Sequence, residues 1–367
     1  MTSWSRKGLL TAFALAACSR SDGQSPGDSV DRPDAVLPGA FTQVGNVVEL
    51  RDGRIAFTDL SQKVFLVGDF ARGTVDTLGE RVDSLGAGDS ARAAYEFPGH
   101  VVHLAGDTLA LVDFAGERTT LWSEAGRYLG VVRLGHVAGR NLPLAYDAAG
   151  RAYKADYRGV MGGLEPGQRV DFDSVPVVRL TRGAATADTV ARLKLPPLGP
   201  GRFGEQIRDV PMIFGGSDLF GVLPDGSLWI ARAATNSVDW LAPDGRWIRG
   251  TARPYQKVPV TQTDKDRFMA AAYRSGLPRN LAIEYPFAEF KPPFSSALGR
   301  ENGEVWLQRS RAADDPVAVY DVFGRDAAWL RTVTFPRHAT VAGLGRRHAY
   351  AVLKEGETQK VARFALE

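Results

Sequence analysis

The sequence predicts an all-β fold built from six similar four-stranded sheets, and three observations carry that prediction. First, six short stretches superimpose almost without adjustment: Arg51–Asp59, Ala105–Asp113, Ala148–Asp156, Pro224–Arg232, Glu301–Arg309 and Gly345–Leu353, each a tight turn followed by a strand. Second, three of the turns are Asp52-Gly53, Asp225-Gly226 and Asn302-Gly303, pairs that supply the positive φ angles of a two-residue hairpin. Third, apolar alternation follows, as in Ile55-Ala56-Phe57, Leu228-Trp229-Ile230 and Val305-Trp306-Leu307, the pattern of a half-buried strand. A repeat unit that cannot bury its apolar faces alone must stack on its neighbours. Six such units predict a six-bladed β-propeller with loop and helical insertions on one face.

The aligned hairpins would join strands one and two of each blade. Inner strands precede them: Val44–Leu50, Gly99–Leu104, Leu142–Asp147, Pro211–Leu223, Pro293–Gly299 and Thr340–Leu344. Strands three and four are expected within Lys63–Gly79, Arg118–Leu134, Val175–Leu195, Ser237–Arg253 and Val317–Phe335. The last blade ends after its third strand, Lys360–Leu366, which would leave two sheet edges open. Open edges invite pairing, so Val30–Leu37 or a neighbouring stretch is expected to supply the missing fourth strand.

At 367 residues and 44% hydrophobic composition, the chain suits one large β domain or two ordinary ones, and the even spread of repeats favours one. The formal charge is +3, falling to +1 if Arg6 and Lys7 are removed with a leader (3 − 2 = 1). That leaves no electrostatic footprint for nucleic acid. Arg6-Lys7, the apolar run Leu9–Leu15 and Leu15-Ala16-Ala17-Cys18 read as a secretory signal whose core is too short to span a bilayer. An ordinary cleaved signal with an incidental cysteine is the alternative reading. The segment resembles a bacterial lipoprotein signal, which implies that Cys18, the only cysteine, becomes the first residue and carries the lipid. Two or three acyl chains anchor a protein stably. By the same resemblance, Ser19 in place of an aspartate implies the outer membrane. The expected boundaries are a signal at 1–17, a Ser-, Asp-, Gly- and Pro-rich tether at 18–38, and a propeller at 39–367 with an insertion at 255–290.

The repeat, the strands Val305-Trp306-Leu307 and Leu228-Trp229-Ile230, and the run Ala318-Val319-Tyr320-Asp321-Val322-Phe323-Gly324 together resemble the NHL-like six-bladed β-propeller lipoproteins of bacteria, over roughly residues 43–366. Leu85-Gly86-Ala87-Gly88 followed by Glu96-Phe97 is a diluted form of the Gly-Pro-Gly-Glu-Phe stretch of many relatives. The resemblance implies a fold and no settled activity.

The long connections Glu80–Tyr95, Tyr157–Ser174, Pro196–Val210 and Tyr255–Phe290 all join strands two to three or one blade to the next. They should therefore crowd one face, with the tight hairpins on the other. Long loops on a rigid scaffold are usually functional. Within the longest, Thr263–Arg274 predicts a helix with Thr263 as N-cap, Asp264 and Asp266 in the first turn, and Gly276 past its end. It would serve as a lid or rim, or merely pack its own apolar residues.

At the end of the second strand, blades one to three carry Asp59, Asp113 and Asp156, whereas blades four and five carry Arg232 and Arg309. The aspartates suit a structural task, accepting backbone hydrogen bonds at the next turn. The arginines offer planar donor forks for an anionic ligand, or would pair with neighbouring acids. Loops entering the inner strands bring His100, Arg140, Arg208, Lys291 and Arg337-His338, a candidate basic ring at the channel mouth, with Tyr146, Tyr157, Phe97 and Phe294 as accompanying aromatics. With Lys+Arg 45 in the chain, a basic residue falls in about half of all five-residue windows, so the ring is only a candidate. His100 and His103 point to opposite sides of a strand and cannot form one metal site. Asp171 with Asp173, or Asp314 with Asp315, suits a hard cation or plain solvation.

Gly-x-Ser-x-Gly, His-Glu-x-x-His and phosphate-loop patterns do not occur. The first reading is a lipid-anchored binding module, without a cofactor, that grips a protein segment or an anionic small molecule. The alternative is a lactonase-like hydrolase with a divalent cation at the channel mouth, which fold analogy alone suggests. A structural subunit of an envelope complex is the third.

Overall fold

The computed structural model describes residues 28–86, 91–132, 145–157, 173–181, 186–274, 277 and 282–366. Sheet one is Val44–Glu49, Ile55–Asp59, Val64–Asp69 and Thr74–Leu78. Sheet two is Pro98–His103, Thr108–Asp113, Arg118–Ser123 and Tyr128–Val131. Sheet three is Ala145–Tyr146, Ala152–Ala155, Ser174–Leu180 and Asp188–Lys194. Sheet four is Leu219–Val222, Leu228–Arg232, Ser237–Leu241 and Trp247–Ile248. Sheet five is Phe294–Gly299, Val305–Arg309, Val317–Phe323 and Trp329–Arg337. Sheet six is Ala339–Leu344, His348–Glu355 and Thr358–Ala365, completed by Ala35–Val36 from the other end of the chain. All six are antiparallel meanders, so each second strand is the one the turn repeat announces.

The seam closes where the open edge required it. Ala35 pairs with Arg363 and Val36 with Ala362, flanked by hydrogen bonds from the Asp34 N–H to the Arg363 carbonyl and from the Leu37 N–H to the Val361 carbonyl, both 2.9 Å. Asp28–Ser29 adds a fifth strand, parallel to Trp329–Arg337. Both segments lie inside 18–38, the stretch expected to be a tether, so the folded part starts earlier than composition suggests. Two neighbouring sheet edges draw the chain in.

Six apolar clusters fill the spaces between successive sheets. Phe65 of sheet one meets Trp122 of sheet two edge-on at 5.7 Å. Phe335 of sheet five meets Phe364 of sheet six at 5.3 Å. The cluster of Phe41, Phe57, Tyr350 and Val361 joins sheet six back to sheet one. The first strands touch in the order one to six and return to one. Where they converge, side chains have no room: a Cβ on Gly343 would lie 2.0 Å from the Val47 carbonyl oxygen.

Antiparallel connectivity sorts the loops. The one-to-two and three-to-four hairpins lie at one end, and the two-to-three turns and sheet-to-sheet links at the other. The long connections therefore start and finish at the same end, as expected. Among the described residues they carry structure of their own: the paired Glu80–Arg81 and Ala94–Tyr95, a three-stranded sheet of Leu198–Phe203, Gln206–Pro211 and Ile283–Glu284, and the helix Gln262–Arg274. The helix begins one residue earlier than predicted, because Thr261, not Thr263, caps it. The Asp264 N–H donates to Thr261 Oγ1 (3.3 Å) and the Thr261 N–H to Asp264 Oδ2 (3.0 Å), a reciprocal box that satisfies both ends at once. Gly276 lies outside the described residues.

Candidate functional site

The corners at Asp59, Asp113, Arg232 and Arg309, at the end of the second strand, are structural. Asp59 is fully buried and accepts from the backbone N–H groups of Thr42 (2.7 Å), Gln43 (3.2 Å), Ser61 (3.1 Å) and Gln62 (3.1 Å). Asp113 accepts from those of Glu96, Phe97 and Gly116 at 2.8–3.1 Å. Arg232 and Arg309 are not left open for a ligand. Arg232 donates to Asp218 (2.7 Å), Asp239 (2.9 Å) and the Arg192 carbonyl (3.0 Å). Arg309 forms a fork on Asp321, both bonds 2.8 Å, and reaches Thr332 Oγ1 at 3.1 Å. Burial alone would raise the carboxyls of Asp239 and Asp321, but the hydrogen bonds and positive charge hold both below the usual range. The anion site expected on this pair is thus occupied by the protein's own acids.

The candidate basic ring does not assemble either. Lys291 is buried, with Nζ donating to Asp264 (2.6 Å) and to the Arg311 carbonyl (2.7 Å). It clamps the inserted helix to sheet five. Arg208 lies on the inserted sheet and stacks over Phe203 at 4.3 Å. Arg337 and His338 sit exposed at the link from sheet five to sheet six, where the His338 N–H donates to the Pro316 carbonyl at 2.8 Å. Of the described members of the ring, His100 alone borders the central cavity. The entering loops approach from the long-loop end, whereas the cavity lining includes hairpin residues such as Arg51, Gly106, Pro224 and Arg346. Arg140, Asp171 and the lipid-attachment candidate Cys18 lie outside the described residues.

Of the expected aromatics, Tyr146 borders the central cavity, while Phe97 stacks on Phe114 at 6.1 Å and Phe294 is buried between sheets four and five. Among the described residues no group of three or more His, Cys, Asp or Glu side chains is placed to hold a metal ion. The inserted helix packs Phe268 edge-on against Tyr285 (5.4 Å) and Phe287 (5.7 Å), residues of its own insertion. A groove of about 710 Å³ lies at this end, bordered by Pro196, Pro197, Tyr255, Phe290 and Pro292.

The central cavity, about 600 Å³, takes lining residues from the first strands of all six sheets. Its two walls differ. Sheets one, two and six supply polar groups, and these are engaged. The Asn46 side chain bonds both the N–H (3.0 Å) and the carbonyl (2.6 Å) of Val101. His103 Nε2 lies 2.7 Å from Glu124. Glu49 accepts from the Arg346 N–H (2.6 Å) and the Tyr350 hydroxyl (3.0 Å). Burial, reinforced by the Glu49 charge, pushes the Tyr350 phenol up. Sheets three to five supply mainly apolar groups, among them Ala145, Phe220, Val222, Ala297, Leu298 and Trp229, together with Tyr146 and, exposed at a hairpin, Glu301. Sequence reasoning missed Glu49 and Trp229 as cavity residues. The available signal was a glycine within successive inner strands, Gly221 and Gly299, where only a close approach explains it.

No protein-family model matches the chain, and no curated protein matches it. Among solved structures it is similar to a member of the DUF4221 family from Bacteroides vulgatus, with TM-score 0.50 and 8% identity over 92% of this chain and 98% of that one. It is also similar to regucalcin, described as a calcium-binding protein, from Agrobacterium tumefaciens (TM-score 0.43, 8% identity, 93% and 97% covered). A gluconolactonase from Xanthomonas campestris matches at TM-score 0.41 and 13% identity, with 93% and 98% covered. At such identity the likeness concerns the course of the chain and carries no activity.

Proposed function

We propose that the protein is a six-bladed β-propeller lipoprotein of the bacterial cell envelope, held at the outer membrane through Cys18, and that it acts as a binding module whose central channel takes a small molecule. The carrying observation is the cavity of about 600 Å³ bordered by the first strands of all six sheets, a size within the usual range for ligand pockets. The path of the chain supports the placement. Asp28–Ser29 runs parallel to Trp329–Arg337, so the chain enters from the hairpin end. Nine residues separate Cys18 from Asp28, a reach of at most about 35 Å. The channel mouth would then lie close to the membrane.

The hydrolase alternative needs a divalent ion at a channel mouth. At the hairpin end these acids and this histidine do not fit one: His103 and Glu124 are engaged with each other, and Glu49 with Arg346 and Tyr350. Two measurements test the proposal. The full chain made with its leader should yield an amino-terminal peptide bearing a diacylglyceryl cysteine, and Cys18→Ser should leave the sedimenting membrane fraction. Protein purified from native envelope should retain a small molecule in native mass spectrometry that Ala297→Trp, which fills the channel, does not.

A further inference from the structure

We infer that the channel wall of sheets three to five receives a flat, non-anionic, mostly apolar molecule bearing one carbonyl-type acceptor, with the Trp229 indole N–H as its donor. This rests on the channel being the binding site. Trp229 is 4% exposed and borders the cavity, and no hydrogen bond to the described residues engages its N–H, which is not one of the fold's fully buried unpaired atoms and so reaches the channel space. Four tryptophans of the fold are satisfied, Trp122 by Thr120 (2.9 Å), Trp240 by the Gly324 carbonyl (2.9 Å), Trp306 by Glu304 (3.2 Å) and Trp329 by Asp321 (3.1 Å), while Trp247, which does not border the cavity, is half-exposed with Arg249 stacked on its ring. A donor that reaches the channel from an otherwise buried ring marks a place for an acceptor.

The ring is fixed before any ligand arrives. A Cβ on Gly221 would lie 2.3 Å from Trp229 Cζ2, and one on Gly299 would lie 2.5 Å from Nε1. The indole is thus wedged between the backbones of two inner strands, and neither glycine is needed for a positive φ. A donor with no freedom to lose binds without an ordering penalty. Phe220, Val222, Ala297 and Leu298 around it offer no other hydrogen bonds from their side chains. Across the channel the charges cancel locally. Glu49 faces Arg346, with Nε 3.8 Å away, and Glu124 faces Arg51 at 3.9 Å as well as His103. An anionic ligand would find no cation to spare, since Arg51 and Arg346 face these acids and the further lining charge, Glu301, is itself negative.

The test uses coumarin, flat with one lactone carbonyl, and naphthalene, of similar shape without an acceptor, titrated into the full chain. Coumarin should bind saturably and about 3–10-fold more tightly than naphthalene, the ratio one neutral hydrogen bond provides. Trp229→Phe should keep naphthalene binding and lose the preference. Equal affinities in the wild type would overturn the inference and leave the channel reading standing. Coumarin and naphthalene binding that Ala297→Trp does not weaken would overturn the channel itself, as would no binding of either. Should Trp229→Phe fail to fold, indole ¹⁵N–¹H spectra of the wild type decide. One of the seven tryptophan signals should move downfield with coumarin and not with naphthalene, and unmoved signals would sink the inference.

Discussion

Sheets one and two end their second strand on an aspartate, whereas sheets four and five end it on an arginine, and the two kinds of corner do the same work. In sheet one, Asp59 gathers four backbone N–H groups from the turn that follows and the segment that precedes. In sheet four the acid has moved to Asp218, just ahead of the first strand. There it accepts from the Lys194 and Ala233 N–H groups at 3.0 and 3.1 Å. Arg232 stands where the aspartate stood and joins Asp218 to Asp239. A reversal of charge within a repeat therefore marks a relocated acid, and the arginine is its counter-ion rather than a ligand hook.

The comparison breaks most visibly at Arg232. Asp218 and Asp239 are each 6% exposed, and removing their shared cation leaves two buried carboxylates without it. Asp239 keeps Arg249 (2.8 Å) and Asp218 keeps its backbone donors, so Arg232→Ala should lower stability by about 3 kcal/mol in urea unfolding, the low end of the range for breaking a buried ion pair. Arg309→Ala should lose less, about 2–3 kcal/mol, because the Arg309 side chain is 40% exposed and Asp321 keeps its donors Trp329 and Thr332. A loss near zero for either would restore it as a candidate ligand residue. At the other corner, Asp59→Ala should lose about 2 kcal/mol and Asp59→Asn less, since the amide oxygen still accepts. If Asp59→Ala proved as costly as Arg232→Ala, the corners would differ in kind, because a single acid among N–H groups leaves no orphaned charge.

The architecture was legible because a turn chemistry recurs. Asp52-Gly53 and its counterparts fix where strands one and two meet, and Gly53, Gly226 and Gly303 do adopt positive φ. The seam was legible from the shortage of one strand in the last sheet. The candidate site was not. Which acid an arginine meets depends on the neighbouring strand and on the segment before the sheet, and Asp218 lies 14 residues from Arg232. The cavity walls came from positions with no polar signature, such as Val222 and Ala297, and from glycines whose need shows only when a ring from the next strand is in place. The helix cap shifted from Thr263 to Thr261 because a reciprocal partner, Asp264, outweighs a lone threonine at the edge of the first turn.

The smallest expected effect is one of pH, and it separates the two corner types further. Glu304 belongs to the arginine-rich part of the molecule: Arg300 donates to it at 2.9 Å, Arg331 at 2.7 Å and the Trp306 indole at 3.2 Å. Burial works to raise its carboxyl, but these three donors prevail and hold it at about 2, down from 4.5. A carboxyl depressed in the folded state stabilises it fully above the unfolded value and progressively less as pH falls toward the folded one. Unfolding free energy should therefore decline between pH 4.5 and 2, by about 1 kcal/mol from this group once solvent screening is allowed for. Glu304→Gln should be less stable at pH 7 and show a shallower acid slope. Because Arg300 also donates to the Gly345 and Arg346 carbonyls of sheet six, the same protonation loosens the junction of sheets five and six beside the channel mouth. Hydrogen exchange at Gly345 and Arg346 should accelerate, relative to the rest of sheet six, over that same pH interval. A uniform response across sheet six would mean that Glu304 stabilises the whole fold rather than this junction.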